Sequence, residues 1–458
     1  MNKQQPKQKV QVNALEQINV NAAGIDVGSE EMYVAVPPGR DEESVRCFPA
    51  FTADLHQLAD WLKSCGIDTV AMESTGVYWI PLFEILEESG FQVYLVNARH
   101  LKNVSGRKTD VLDCQWIQQL HTYGLLRPSF RPPEQIVAIR TLVRQREMLV
   151  GYRSAHIQHM QKALTQMNLR LPNVLSDITG VTGLKIIRAI VAGEQNPKIL
   201  AEFRDGRCKK SEAEIIKSLE GHYKREQIFA LKQAVELYDF YDKQMQACDR
   251  ELEVMYKEFD PPQDPGTPPP TPQQGKPCRN KTSFELASSL YRMTGVDLTQ
   301  IDGVNALTIQ KVLSETGTDM SKWPTVKHFA SWLRLCPNNK ITGGKVFHTG
   351  VLPTQNRANA ALRIAASSLK HSNSALGAYY RRMRAHIGAP AAITATAHKL
   401  ARIIYFMLRD HKPYHDCGAD YFEEQQRTIA IRNLSRKAAK LGLRLEPSTP
   451  PAVPGFVS

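Results

Sequence analysis

Two apolar segments in the first quarter of the chain each carry one carboxylate at the same relative place, and no other feature restricts the fold as strongly. "AAGIDVGS" holds Asp26 just before a Gly-Ser turn, and "TVAMESTG" holds Glu73 just before Ser-Thr-Gly. Both read as buried strands, where a carboxylate is costly unless it is paired or bound to a cation. The surrounding pattern gives these strands their context. "INVNAAGIDVGSEEMYVAVPP" and "ESVRCFPAFTA" read as a three-stranded meander. "ADLHQLADWLKSCG" has helical spacing, "DTVAMES" is a strand, "WIPLFEILEESG" a helix and "FQVYLVNA" a strand. A meander followed by helix, strand, helix, strand and helix implies a mixed α/β sheet.

The last of those helices begins in "SGRKTDVLDCQWIQQLHTYG". Thr109 is a suitable N-cap, which places Asp110 and Asp113 in the first turn and on one face. Taken alone, the two acids are accounted for by complementing the helix dipole. Taken with Asp26 and Glu73, they suggest a shared cation site. Hard divalent cations take oxygen ligands, and a pair of them about 3.5–4 Å apart stabilises both the attacking and the leaving oxygen of a phosphoryl transfer.

The four carboxylates in this order resemble the ribonuclease H-like, RuvC-type nuclease fold. In that fold, acids from the first strand, the fourth strand and a later helix hold two Mg²⁺ ions. The resemblance extends through "GIDVGS", "MESTGVYW", "VNARHLKNVSGRKTDVLDCQWI", "FASWLRLCPNNKITGGKV" and "RANAALRIAASSL" to the DEDD transposases of bacterial insertion sequences, relatives of the Piv-type DNA invertases. It implies an enzyme of DNA strand cleavage and exchange. Mg²⁺, or Mn²⁺, would be held by Asp26, Glu73, Asp110 and Asp113, and a structured bridge RNA would act as guide. It further implies a serine before a Gly-Gly-Lys turn that attacks a DNA phosphate to form a covalent link. At that position this chain has Thr342, whose extra methyl restricts χ1 and crowds an in-line approach. Gly343 and Gly344 would let backbone approach DNA closely, and Lys345 would offset charge on the attacked phosphate. The same turn also reads simply as a loop flanked by positive charge.

From Pro133 to Leu171 one long helical stretch mixes apolar and basic residues. A second, from about Ser211 to Phe259, is its candidate partner in a coiled coil; an ordinary surface helix has the same pattern. Residues 261–277, "PPQDPGTPPPTPQQGKP", cannot continue a helix or a central strand. "ITGVTGLKIIRAIVAG" and "IDGVNALTIQKVLSET" echo each other at Gly180 and Gly303. Apolar-Gly-Val before a helix resembles the helix-hairpin-helix element, which offers backbone N–H groups to phosphate, although a plain helix-helix turn uses the same glycine. The expected organisation is a disordered tail (1–17), a RuvC-like domain (18–132) and a helical region (133–260). A proline-rich linker (261–280), a mainly helical transposase domain (281–425) and a basic tail (426–458) follow.

A net charge of +12 and a pI near 9.2 favour a polyanionic partner. Arg381, Arg382 and Arg384 in "YYRRMRAH", and the basic "IRNLSRKAAKLGLRL", suit contact with a nucleic-acid backbone. The eight cysteines form no C-x-x-C pair, which points to free thiols, and His411, His415 and Cys417 in "HKPYHDC" read as a solvated loop. No apolar run approaches the ~18 residues of a membrane span, and the N-terminus has no apolar signal core. A cytoplasmic, nucleoid-associated bacterial protein is expected, with DNA, a guide RNA and further copies of itself, as dimer or tetramer, for partners and no membrane contact. Two alternatives use the same residues: a metal-dependent nuclease that hydrolyses strands without a covalent intermediate, and a non-catalytic nucleic-acid-binding protein.

Overall fold

The computed structural model describes residues 16–97, 110–260, 268–270, 280–348 and 350–446, with only the backbone at 110–112, 340, 346 and 348. Most of the expected N-terminal tail and of the proline-rich segment, and Thr109, lie outside the described residues. The chain divides into two compact units, 1–131 and 132–458. The second unit includes residues on both sides of the proline-rich segment.

In the first unit β1 (Ala22–Val27), β2 (Glu31–Ala35), β3 (Val45–Pro49), β4 (Thr69–Glu73) and β5 (Gln92–Val96) form one sheet in the order β3-β2-β1-β4-β5. The meander pairs are antiparallel, and β1–β4 and β4–β5 are parallel. This is the expected mixed sheet of a RuvC-like domain. β1 lies at its centre and is covered on both faces, which explains its nearly unbroken apolar run.

Helices α1 (Thr52–Ser64) and α2 (Trp79–Glu88) cover one face, where Ile25, Val27, Val70 and Met72 join Leu58, Leu62, Leu82 and Leu86 in the main core. Helix α3 (Asp110–Thr122) covers the other, where Ala71 and Val96 meet Ile117 and Leu120. Strand alternation therefore sends Gly24, Asp26, Ala71 and Glu73 toward α3.

The second unit is mainly helical. Its longest elements are α4 (Glu134–Gln166) and α9 (Arg225–Lys257), and between them lie α5 (Leu171–Val174), α6 (Val181–Val191), α7 (Pro197–Ala201) and α8 (Glu212–Ser218). Arg146 bonds Asp249 at 2.5 Å, Arg153 bonds Asp242, and His156 stacks on Tyr241 at 5.4 Å. These pairings run in opposite sense along the chain, so α4 and α9 are antiparallel partners. The stretch expected as one helix from Ser211 is broken at 219–224, where the His222 amide donates to the Met167 carbonyl at 2.8 Å. A side chain at Gly221 would come within 2.5 Å of that same oxygen.

Beyond the proline-rich segment come α10 (Leu286–Thr294), α11 (Ala306–Thr316) and α12 (Val326–Trp332). A two-stranded hairpin of β6 (Lys340–Thr342) and β7 (Lys345–His348) follows. Then α13 (Arg357–Ser368), α14 (Ala375–Ile387), α15 (Ala389–Asp410) and α16 (Gly418–Lys440) complete the unit. α15 is the core of this half, with Tyr405 against Phe329 and its hydroxyl donating to the Trp323 carbonyl at 3.0 Å. α16 is continuous through residue 425, where the sequence reading placed the start of a tail. Among the described residues no helix is long and apolar enough to cross a membrane.

Candidate carboxylate centre and hydroxyl turn

α3 lies across the sheet in the opposite direction to β1 and β4, and contacts along its length show this. Near its C-terminal end, the Thr122 carbonyl accepts from the amides of Ile18 and Asn19, just before β1. There too His121 Nε2 lies 2.8 Å from Thr69 Oγ1, at the start of β4. One turn earlier, Gln118 Nε2 donates to the Ala22 carbonyl at 3.3 Å. Midway, helix backbone meets strand backbone at Gly24, where a Cβ would lie 2.2 Å from the Gln118 nitrogen and 2.4 Å from the Cys114 oxygen. Only glycine permits this approach.

The first turn of α3, with Asp110 and Asp113, consequently lies at the C-terminal ends of β1 and β4. Asp26 and Glu73 lie there as well. Ile25 is in register with Met72, and Asp26 and Glu73 are the next residues of the two parallel strands. Open α/β sheets bind ligands at this edge. Both acids are half-buried, as is Asp113. Glu73 Oε1 accepts from Thr75 Oγ1 at 3.0 Å.

Cys114 reports the charge of this neighbourhood. It is fully buried, and its thiol is pushed up to about 12, first by burial and further by the negative charges of Asp26 and Asp113. At neutral pH it is protonated and cannot act as a thiolate ligand. The acids described at this edge therefore offer carboxylate oxygens, which suit Mg²⁺ or Mn²⁺ rather than a softer metal. Among the described residues, no three His, Cys, Asp or Glu side chains converge closely enough to hold an ion. Sequence reasoning singled out the four acids but not Gly24 or Cys114, whose importance follows from the closeness of α3.

In the second unit, Thr342 ends β6 and Lys345 begins β7. They face each other across a two-residue turn in which Gly343 and Gly344 have φ of 56° and 75°. Positive φ at both positions is the type I′ geometry that closes tight hairpins, and it explains the glycine pair directly. Thr342 and Lys345 are exposed. So is Phe347, at 84% of its surface, and alternation along β7 puts it on the Thr342 and Lys345 face. The motif reading passed over Phe347 because an aromatic residue in a strand is ordinarily core.

The other expected contacts are distributed unevenly. Arg382 and Arg384 are exposed on α14, whereas Arg381 is half-buried and donates to the Ser372 carbonyl at 2.6 Å. His411, His415 and Cys417 lie in the connection from α15 to α16 and form no metal cluster among the described residues. The seven described cysteines are free thiols. The two echo motifs differ in structure. Gly180 is an extended N-cap of α6, whereas Gly303 has φ of 78° and packs against Leu369, and α11 starts later under an Asn305 cap that accepts from the Thr308 amide. The second motif thus fills part of its own helix N-terminus.

A RuvC-like sheet with acids where two strand ends meet a helix N-terminus defines the class of nucleic-acid-processing α/β proteins. Residues 23–169 match a family model for DEDD transposases of the IS110 type, described as "Transposase". Residues 297–381 match one described as "Transposase IS116/IS110/IS902 family". The two matches together cover about half the chain, which belongs to the IS110-type transposases, DNA-binding enzymes that cleave and recombine DNA for an insertion sequence. No curated protein matches it.

Proposed function

We propose that the chain cleaves and exchanges DNA strands by phosphoryl transfer, using the carboxylates of the first unit and the Thr342 hydroxyl of the second in one reaction. The observation that carries this reading is the adjacency of Asp26 and Glu73 on neighbouring parallel strand ends, under the first turn of α3. Asp26, Glu73, Asp110 and Asp113 would hold Mg²⁺ or Mn²⁺. The bound cation supplies charge stabilisation at the attacked phosphate and its leaving oxygen. Thr342 Oγ1 forms a bond to phosphorus as the bond to the leaving sugar oxygen breaks, and the hydroxyl proton passes to the leaving group in the net reaction. Lys345, opposite Thr342, lowers the negative charge that the hydroxyl must approach. Phe347 offers an exposed ring on which a base beside the scissile phosphate stacks. Exposed Arg382 and Arg384, and the half-buried Arg381 beside them, contribute to the nucleic-acid surface.

A structured bridge RNA as guide and a dimeric or tetrameric assembly complete the proposal. Strong positive charge supports the first, and the long α4–α9 pair, which presents Leu237, Phe240 and Val254 to solvent, supports the second. Localisation follows the ligand: a nucleoid-associated protein of the bacterial cytoplasm. A second reading, cleavage by water with no covalent link, is favoured by one observation: threonine stands where the family carries serine.

The test uses purified full-length protein, its co-purified RNA and a plasmid carrying the genomic flanks of the gene. Cleavage should require Mg²⁺ or Mn²⁺ and vanish in Asp26→Asn, Glu73→Gln, Asp110→Asn and Asp113→Asn, with DNA binding largely intact. Full cleavage in EDTA or in Asp26→Asn refutes the carboxylate centre. A protein–DNA adduct mapped to the Thr342 peptide separates recombinase from nuclease.

A further inference from the structure

Among the described residues, helix α16 is attached at one end only. Its first turns pack on α14 through Phe422, whose ring lies 6.1 Å from that of Tyr379, and the Ala419 amide donates to the Asn373 carbonyl at 3.3 Å. None of its 23 residues is buried. A helix without a packed face is only marginally stable in water, and among the described residues this one has no partner along most of its length. Its charges are segregated. Asp420, Glu423 and Glu424 lie in the attached end, whereas Arg427 to Arg444 carries six basic residues and no carboxylate. Arg432, Arg436 and Lys440 recur at every fourth position and form one stripe. At its root, α14 and α16 enclose a cleft of about 370 Å³ whose lining includes Arg381, Arg382, Glu423 and Arg427. Among the described residues, neither Arg382 nor Arg427 has an ion-pair partner. The whole of α16 lies beyond the family matches, the later of which ends at residue 381.

We infer that the basic face of α16, from the Arg382–Arg427 cleft through Arg432, Arg436 and Lys440, is a docking surface for the backbone of duplex DNA. For its ligand class the inference rests on the proposed recombinase reading; it uses no step of the chemistry. Charge complementarity carries it, and dimensions choose the duplex. An α-helix with side chains is about 10–12 Å across and fits the roughly 12 Å major groove of B-DNA, whereas the A-form RNA groove is too narrow to admit it. Entry also requires a helix free of neighbours on its flanks, which among the described residues α16 is beyond Ala430. The stretch from Arg427 to Lys440, about 21 Å at ~1.5 Å per residue, spans somewhat more than half a turn of the duplex.

The test compares full-length wild type with the Arg432→Gln/Arg436→Gln/Lys440→Gln variant. Anisotropy of a fluorescent DNA duplex of about 30 base pairs is read across a salt series without divalent cation. Each lost phosphate contact lowers the slope of log affinity against log salt by about 0.9, so the variant should be shallower by about 2–3 and bind on the order of 100-fold more weakly near 0.1 M salt. The charge-keeping variant Arg432→Lys/Arg436→Lys should retain the slope, which excludes simple loss of the helix. An unchanged slope in the glutamine variant overturns the inference, as does equal loss on an RNA duplex of the same sequence. Loss of self-association with DNA affinity intact assigns the face to a second copy instead, and overturns it too. Absent cleavage with the salt difference present refutes the proposed function and leaves this surface standing.

Discussion

Gly24→Ala tests the architecture at the point where strand and helix touch. The new methyl would sit 2.2 Å from the Gln118 nitrogen and 2.4 Å from the Cys114 oxygen, both backbone atoms of α3. Ordinary contact begins near 3.4 Å, so α3 and β1 must separate by about 1.2 Å. Overpacking of this kind costs typically about 1–3 kcal/mol, and backbone cannot rotate aside as a side chain can, so the upper part of that range applies. For a unit of this size, that lowers the melting midpoint on the order of 5–10 °C. Activity should fall further than stability. α3 carries Asp110 and Asp113, and a displacement near 1 Å at reacting groups is worth about 100-fold in rate. The assays are calorimetry and plasmid cleavage, the latter well below the variant's midpoint. Gly151→Ala is the control, since its methyl meets nothing within 4 Å in the middle of α4 and should stabilise by up to about 1 kcal/mol. A Gly24→Ala protein with wild-type melting and cleavage would refute the close crossing of α3 over β1, and with it the placement of the two helical acids.

Thr342→Ala should abolish recombination, and Thr342→Ser should keep or raise it by removing the crowding methyl; normal recombination by the alanine variant, read on the plasmid substrate, refutes the nucleophile. Gly344→Ala, at φ of 75° in the turn, should cost about 1–2 kcal/mol locally and reduce adduct formation without changing the melting of the first unit. His121 predicts an acid limit for that unit. Thr69 Oγ1 donates to the Gln92 carbonyl, so His121 Nε2 carries the proton it gives to Thr69 and the buried Nδ1 is bare. Burial lowers the ring to about 4 from its ordinary 6.5, so the unfolded chain binds the extra proton first. The stabilisation is complete above pH 6.5 and is lost as pH falls toward 4, by at most about 3 kcal/mol. The pH dependence of melting in wild type and His121→Gln measures it, and identical acid slopes in the two proteins would refute it.

The first unit was largely legible in the sequence because its signals are local. Strand alternation, two turn-bounded apolar runs and a capped helix each stand within ten or so residues, and the lone carboxylates marked the edge where they would gather. The contact that holds those acids in one neighbourhood was not legible. Gly24 reads as one more small residue in an apolar strand, and only the packed helix reveals that its missing side chain sets the distance. The second unit was harder for a related reason. The partnership of α4 and α9 is fixed by Arg146 with Asp249 and Arg153 with Asp242, pairs about a hundred positions apart along the chain, and helical periodicity carries no information on partners. The break at 219–224 escaped notice because a single glycine, Gly221, weakens a helix without having to end it, and what stops the helix here is docking on the end of α4.

Charge placement connects the two halves of the proposed reaction. A chain of net charge +12 draws a polyanion from any direction, yet Asp26, Glu73 and the helical turn that bears Asp110 and Asp113 lie at one sheet edge, and on the proposed reading these acids repel the phosphate on which they are to act. α3 softens that repulsion only slightly, since a helix N-terminus contributes about half a positive charge. The remaining negative charge is what a divalent cation neutralises, so on the proposed reading the cation serves approach as well as chemistry. The basic surfaces have no such constraint: Arg382, Arg384 and the far half of α16 lie in the second unit, in stretches of that unit where basic residues outnumber acids. On the proposed reading, binding without metal and cleavage only with it are therefore two consequences of one distribution of charge, and a single carboxylate substitution should separate them.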